Sequence, residues 1–168
     1  MTNSEAKEKL ISIWGSLGST WGISSTMARV HALLLVNDDP KSTEEIMEEL
    51  SISRGNANMS VRSLIEWNLV KKLVKKGERK EYFVAEKDFH KIAVTIAKER
   101  RRREISPLIE ALNEIKIDEL DCSPEAISLR KRIAEMQVFI KEGDNLLEKL
   151  IKLDESKLFP LLFKMLKR

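Results

Sequence analysis

The sequence predicts a mostly α-helical chain with a small β-hairpin. Three observations carry that expectation. Glycine and proline are scarce, at 6 and 4 in 168 residues, which argues against a strand-rich sandwich. Apolar residues recur at helical spacing along most of the chain. Extended character is confined to "LVKKLVKKGERKEYFVAE", residues 69–86.

Residues 3–17 read as a first helix, with Leu10, Ile13, Trp14 and Leu17 on one side. "GSLGSTWGISS" carries three glycines and several serines and reads as a loop or hinge. Ser24 or Ser25 caps the next helix, which runs to about Asn37 with Met27, Val30 and Leu34 inward. "NDDPKS" is a turn. "STEE" then forms a capping box: the Ser42 hydroxyl accepts from the Glu45 N–H while the Glu45 side chain reaches back. A short helix follows to Leu50. "SIS" makes a tight turn with Ile52 buried, and Ser53 caps a helix from Arg54 to Trp67. Asn68 ends it, since Asn tolerates the left-handed conformation. Two strands flank the tip "KKGERK", where Gly77 permits the turn; Tyr82 and Val84 share one face and Phe83 takes the other.

From about Lys87 the pattern is helical again, with Phe89, Ile92, Ala93 and Ile96 on a face. "KERRRRE" interrupts the stripe, and Ser106-Pro107 kinks this helix or starts another. Leu108, Ile109, Leu112 and Ile115 continue the apolar side. "DELDCSP" is a linker in which Ser123 caps the last long helix and Pro124 takes its first position. Leu129, Ile133, Met136, Ile140, Gly143, Leu147 and Leu150 step by four and three, a heptad seam. Periodicity alone does not separate pairing with a second copy from packing within one chain. "SKLFPLLFKMLKR" is a closing amphipathic segment.

Net charge is only +3, but residues 54–104 hold 15 Lys and Arg against 7 Asp and Glu. A basic stretch in an otherwise mildly acidic chain points to a polyanionic partner at one place. One cysteine, Cys122, makes no internal disulfide, and the simplest expectation is a reducing cytoplasm. The first residues do not read as a signal peptide, and no run approaches 18 apolar residues, so no membrane span is expected. His31, His90 and Cys122 lack metal-ligand spacing, and no cofactor is expected. No nucleophile–base set, phosphate-cradling glycine loop or carboxylate pair points to an enzyme. Trp14, Trp21 and Trp67 invite the thought of a cage for a cationic ligand, but Trp67 follows Leu64 onto the core side. The run Arg100–Arg103 fits an exposed or ion-paired helix face better than a phosphate site.

The order helix, helix, tight turn, helix, hairpin with a basic tip is that of a winged helix-turn-helix, followed here by long helices that form a dimerisation region. The helix after Ser53 shows Arg54, Asn56, Asn58, Met59, Arg62 and Ser63 on its polar side. Arg pairs with guanine and Asn with adenine through paired hydrogen bonds in the major groove. Lys75, Lys76, Arg79 and Lys80 at the tip, with Ser42 or Thr43 upstream, suit phosphates. Double-stranded DNA is therefore the expected partner. The rival expectation is a protein-interaction module whose winged helix no longer binds DNA.

"SRGN" at the head of that helix, "LIEWNLV" at its end and "GERKEY" at the hairpin resemble the GbsR branch of the MarR-type transcriptional regulators, over roughly residues 20–110. Asn68 stands where such proteins commonly have Gly. The resemblance implies a cytoplasmic, homodimeric, DNA-binding regulator that responds to a small-molecule effector, here of unknown identity. The expected organisation is residues 1–22 as an N-terminal helix and hinge for dimerisation, 23–86 as the DNA-binding domain and 87–168 as a helical dimerisation region. In that region Leu129, Ile133, Met136, Ile140, Leu147 and Leu150 are the expected dimer contacts.

Overall fold

A computed structural model describes residues 1–20, 22–74, 77, 79–117 and 123–155. The chain divides into two compact units, Met1–Thr95 and Ile96–Arg168. The first holds α1 (Asn3–Thr20), α2 (Ser25–Val36), β1 (Lys41–Ser42), α3 (Thr43–Leu50), α4 (Arg54–Glu66), β2 (Val70–Val74) and β3 (Glu81–Ala85). Helix α5 (Phe89–Arg100) starts there and continues into the second unit. A π-helical turn (Arg101–Ile105), α6 (Ser106–Asn113) and α7 (Pro124–Glu155) follow.

Helix α2 is the centre of the first unit. Eight of its 12 residues are buried, from Met27 to Leu35, so it is apolar nearly all round, as a helix enclosed by others must be. Its Val30 and Leu34, with Ile46 of α3 and Leu64 of α4, are the largest fully buried side chains among the described residues. Each such side chain contributes about 1.5–3 kcal/mol on leaving water. Both ends of α2 are satisfied. Ser24 caps the start by accepting from the Met27 N–H at 3.4 Å. At the other end the Lys87 ammonium donates to the carbonyls of Leu34 at 2.9 Å and Leu35 at 2.7 Å, and to that of Asn37. Burial lowers the Lys87 pKa from its ordinary value, with Asp38 opposing. The Asn37 amide donates to Leu33 O at 2.7 Å, and Lys7 of α1 holds the Asn37 side chain at 3.1 Å.

Helix α1 runs three residues further than its periodicity suggests, through the glycines that read as a hinge. Its buried positions are Ile11, Gly15 and Gly18, a stripe at helical spacing that lies against α2. A Cβ on Gly15 would stand 2.7 Å from the Arg29 side chain, and one on Gly18 2.4 Å from Ala28 Cβ. These glycines serve close helix approach rather than a loop. Leu10, Ile13 and Leu17 stay exposed, and Trp14 is half-buried. Trp14 donates its indole N–H to His31 Nδ1 at 3.3 Å and meets Phe89 edge to face at 6.4 Å. Trp67 is buried at the end of α4, and Trp21 lies outside the described residues.

The sheet is antiparallel in the order β1-β3-β2, one strand more than the expected hairpin. The "KS" of the stretch read as a turn pairs Lys41 with Phe83 and Ser42 with Tyr82. In the main pair, Val70 faces Ala85 and Val74 faces Glu81. Phe83 and Ala85 point into the core, with Tyr82 and Val84 half-buried on the other side. Asp88 caps α5 by accepting from the N–H groups of His90 and Lys91. Of the apolar face expected there, Ile92 is buried, whereas Phe89 and Ala93 are exposed; Ile52 before α4 is half-buried.

In the second unit the π-helical turn is closed by the Ser106 N–H to Arg101 O. It sends Arg101 to α7, where the guanidinium grips both Asp144 oxygens at 2.5 and 2.9 Å and Glu148 at 3.0 Å. Arg102 and Arg103 turn back to Glu99 at 2.7 and 3.1 Å; the bond from Arg102 leads in holding the Glu99 carboxyl below its ordinary range. The arginine run is thus ion-paired. Ser123 caps α7, accepting from the Ala126 N–H at 3.2 Å. On α7, Leu129, Met136, Phe139, Leu146 and Leu150 are exposed, while Ile133, Ile140 and Leu147 are half-buried. Pro160 and the closing amphipathic segment, with Asp118, Glu119, Asp121 and Cys122, lie outside the described residues.

Gly18→Ala is expected to force α1 off α2 and lower stability by about 1–3 kcal/mol, read by urea unfolding. His31 supplies a pH signature. Burial pushes its imidazole down to about 4 from an ordinary value of 6.5. The unfolded chain then takes up a proton below pH 6.5 that the folded chain refuses. Stability should be constant above 6.5 on this account and fall by about 3 kcal/mol as pH drops to 4. Thermal unfolding against pH should show that slope in the wild type and not in His31→Leu.

Candidate nucleic-acid interface

The polar side of α4 is set by what its other side buries. Ala57, Ser60, Val61 and Leu64 are buried, with Trp67 just beyond the last turn. The opposite side therefore carries Arg54, Gly55, Asn56, Met59, Arg62 and Glu66, all exposed. Asn58 and Ser63 lie half-buried at its borders. Met59 is 65% exposed, too much for a methionine whose task is packing within this fold.

Both ends of α4 are fixed locally. Ser51 ends α3 in the left-handed conformation at φ 51, and its N–H reaches Glu48 O while that of Ile52 reaches Met47 O. Ser53 caps α4 by accepting from the Asn56 N–H at 3.2 Å. Asn68, at φ 57, turns the chain into β2 as the sequence indicates. A single helix start and a single stop thus determine which residues face outward.

Helix α3 restrains two of the outward residues. Arg54, largely exposed, pairs with the half-buried Glu44 at 2.9 Å. Backbone hydrogen bonding at Glu44, with the charges of Arg54 and Lys80, holds its carboxyl below the usual range. The Thr43 hydroxyl donates to Asn58 Oδ1 at 3.5 Å, a long bond bridging the two helices. Ser42 departs from the expected phosphate contact. It is buried, and its hydroxyl accepts from the Glu45 N–H while its own N–H donates to the Glu45 carboxylate. The capping box engages the hydroxyl oxygen as an acceptor in a residue only 2% exposed. Thr43 is half-buried, and the residues around it include Glu44, Glu45 and Glu48, which with Asp39, Lys80 and Tyr82 border an acidic groove.

At the hairpin, Gly77 has φ +87, so the turn needs glycine there. Arg79 and Lys80 are exposed. Lys72 pairs with Glu81 across the strands. Lys75, Lys76 and Glu78 lie outside the described residues. Exposed Gly55 was not singled out by sequence reasoning, because a residue without a side chain offers no chemical signal of its own. Among the described residues no group of three or more His, Cys, Asp or Glu could hold a metal ion. No helix among them is long and apolar enough to cross a membrane.

A helix-turn-helix with its second helix uncovered, flanked by a three-stranded antiparallel sheet, is a winged helix-turn-helix. The chain is similar to the HTH-type transcriptional repressors GbsR and OpcR of Bacillus subtilis. It is 28% identical to GbsR over 114 residues, 68% of this chain and 63% of that one. With OpcR it is 29% identical over 91 residues, 54% of this chain and 49% of the relative. The match thus spans less than two thirds of either repressor. No family model matches the chain. A crystal structure described as a transcriptional regulator shares the fold at a TM-score of 0.69 and 18% identity, over 90% of this chain and 99% of the other.

Ser53→Ala should lower stability by about 1 kcal/mol and speed amide exchange in the first turn of α4. Chemical denaturation with exchange at Asn56 and Ala57 checks both; unchanged exchange there means that the cap does not hold the turn.

Proposed function

We propose that the protein is a homodimeric regulator of transcription that binds double-stranded DNA by sequence. The observation that carries this reading is the uncovered side of α4, where guanidinium, amide and thioether groups stand together and acidic side chains are few. A helix of that kind fits the major groove, with its first residues reaching the base edges. Arg54, Asn56, Asn58, Met59, Arg62 and Ser63 would face bases. Thr43, Lys75, Lys76, Arg79 and Lys80 would meet phosphates, and a cytoplasmic place beside the chromosome follows. The names of the two repressors support the same reading.

Self-association rests on α7. Its apolar side runs through Leu129, Met136, Phe139, Leu146 and Leu150, and Phe139 is 77% exposed. Such a stripe on a helix of 32 residues is suited to a second copy. Ile133, Ile140 and Leu147, half-buried, form its border. On this reading residues 1–22 and 87–168 serve self-association and 23–86 the DNA. A cleft of about 390 Å³ between α6 and α7, lined by Ile109, Leu112, Gln137 and Ile140, suits a small effector.

The test is a titration of the whole chain with a duplex selected from a randomised pool, at two salt concentrations. Binding should weaken steeply with salt. Arg62→Ala should relax sequence choice at one base pair, by about 1–3 kcal/mol. Phe139→Glu should shift the chain to monomer in sedimentation and lower duplex affinity with it. A wild-type chain that selects no duplex is instead a protein-interaction module.

A further inference from the structure

The chain has six glycines, and four have a reason within the fold. Gly15 and Gly18 allow α1 to approach α2, where any Cβ would collide. Gly22 and Gly77 have φ of +76 and +87, which L side chains rarely adopt. Gly55 and Gly143 have neither reason; Gly143 stands exposed on α7, and Gly55 on the polar side of α4. Gly55 is helical, in the first turn of α4, without positive φ. Among the described residues a Cβ there would meet only Ser53 Oγ, at 3.9 Å, an ordinary contact. Glycine is nonetheless the poorest helix former after proline. The chain thus gives up helix propensity at this position with no return among the described residues.

The place of Gly55 indicates where the return lies. Gly55, Met59, Arg62 and Glu66 fall at i, i+4, i+7 and i+11 along the middle of the exposed side of α4. Arg54 and Asn56 flank it. We propose that Gly55 is a close-approach position for DNA. The bare backbone lets the duplex come nearer to the head of α4 than any side chain would permit. That sets the depth at which Arg54, Asn56 and Met59 meet the base edges. The proposal rests on the duplex-binding reading and adds a specific determinant of affinity to it.

Gly55→Ala and Gly55→Leu test this, since Ala and Leu are both strong helix formers. Thermal unfolding of each variant is compared with its affinity for the duplex selected on the wild-type chain. The expected result is a Tm equal to or above that of the wild type, with affinity down about tenfold for Ala and further for Leu. Unchanged affinity in both variants, with the wild type binding well, overturns the close-approach role and leaves the regulator reading standing. A lowered Tm in Gly55→Ala also overturns it, because the glycine then serves the fold. If the wild-type chain selects no duplex, both readings fall together.

Discussion

The enclosure of α2 is the constraint on which the first unit depends. A helix enclosed by others shields its terminal carbonyls from much of the solvent, and buried carbonyls without partners are costly. The answer comes from outside the helix. Lys87, some fifty residues later, brings its ammonium to three carbonyls at that end. This ties the exit of β3 to the core, and β3 carries β2 and the hairpin tip with it. The hairpin is thereby anchored to the same helix against which α3 and α4 pack. The same enclosure keeps His31 neutral, with Trp14 as its donor.

The exposed side of α4 follows from that core by elimination. Once Ala57, Val61 and Leu64 are committed inward, helical geometry leaves the other residues no choice of direction. Arg54 is largely exposed but paired with Glu44, so its reach is partly set by α3. Asn58 is likewise engaged by Thr43. Arg62 and Met59, both exposed, stand further along the helix. The exposed side of α4 is therefore graded, from residues held by α3 to residues that stand clear of it.

Much of this was legible because the signals are local. Ser42 with Glu45, Ser53, Asn68 and Ser123 act within four residues of themselves, and each stands where its sequence context indicates. What escaped depends on distant partners. The glycines of α1 resembled a hinge because their reason, the Arg29 and Ala28 side chains, lies on another helix. Strand β1 is two residues long, too short for a period to be visible. Lys87 gives no hint in sequence of the carbonyls it serves. The Ser42 hydroxyl suits a cap and a phosphate alike in sequence, and in the fold it is buried at the cap. The uncovered side of α4 was legible in its amides and guanidiniums, while Gly55, which has no side chain, was not.

The π-helical turn at Arg101–Ile105 has a structural consequence of its own. A turn closed from residue 106 back to 101 accommodates one residue more than an α-helical turn. Each residue of an α-helix advances it by about 100°, so α6 leaves the turn out of phase with α5. The two cannot share one apolar seam, and a seam traced straight through Ile92, Ile96 and Leu108 loses its azimuth at the arginines. Removing a single residue there would restore regular winding and with it the register of an apolar seam across the arginines. Spacing in this stretch is therefore as constrained as residue identity, although nothing in its composition announces it.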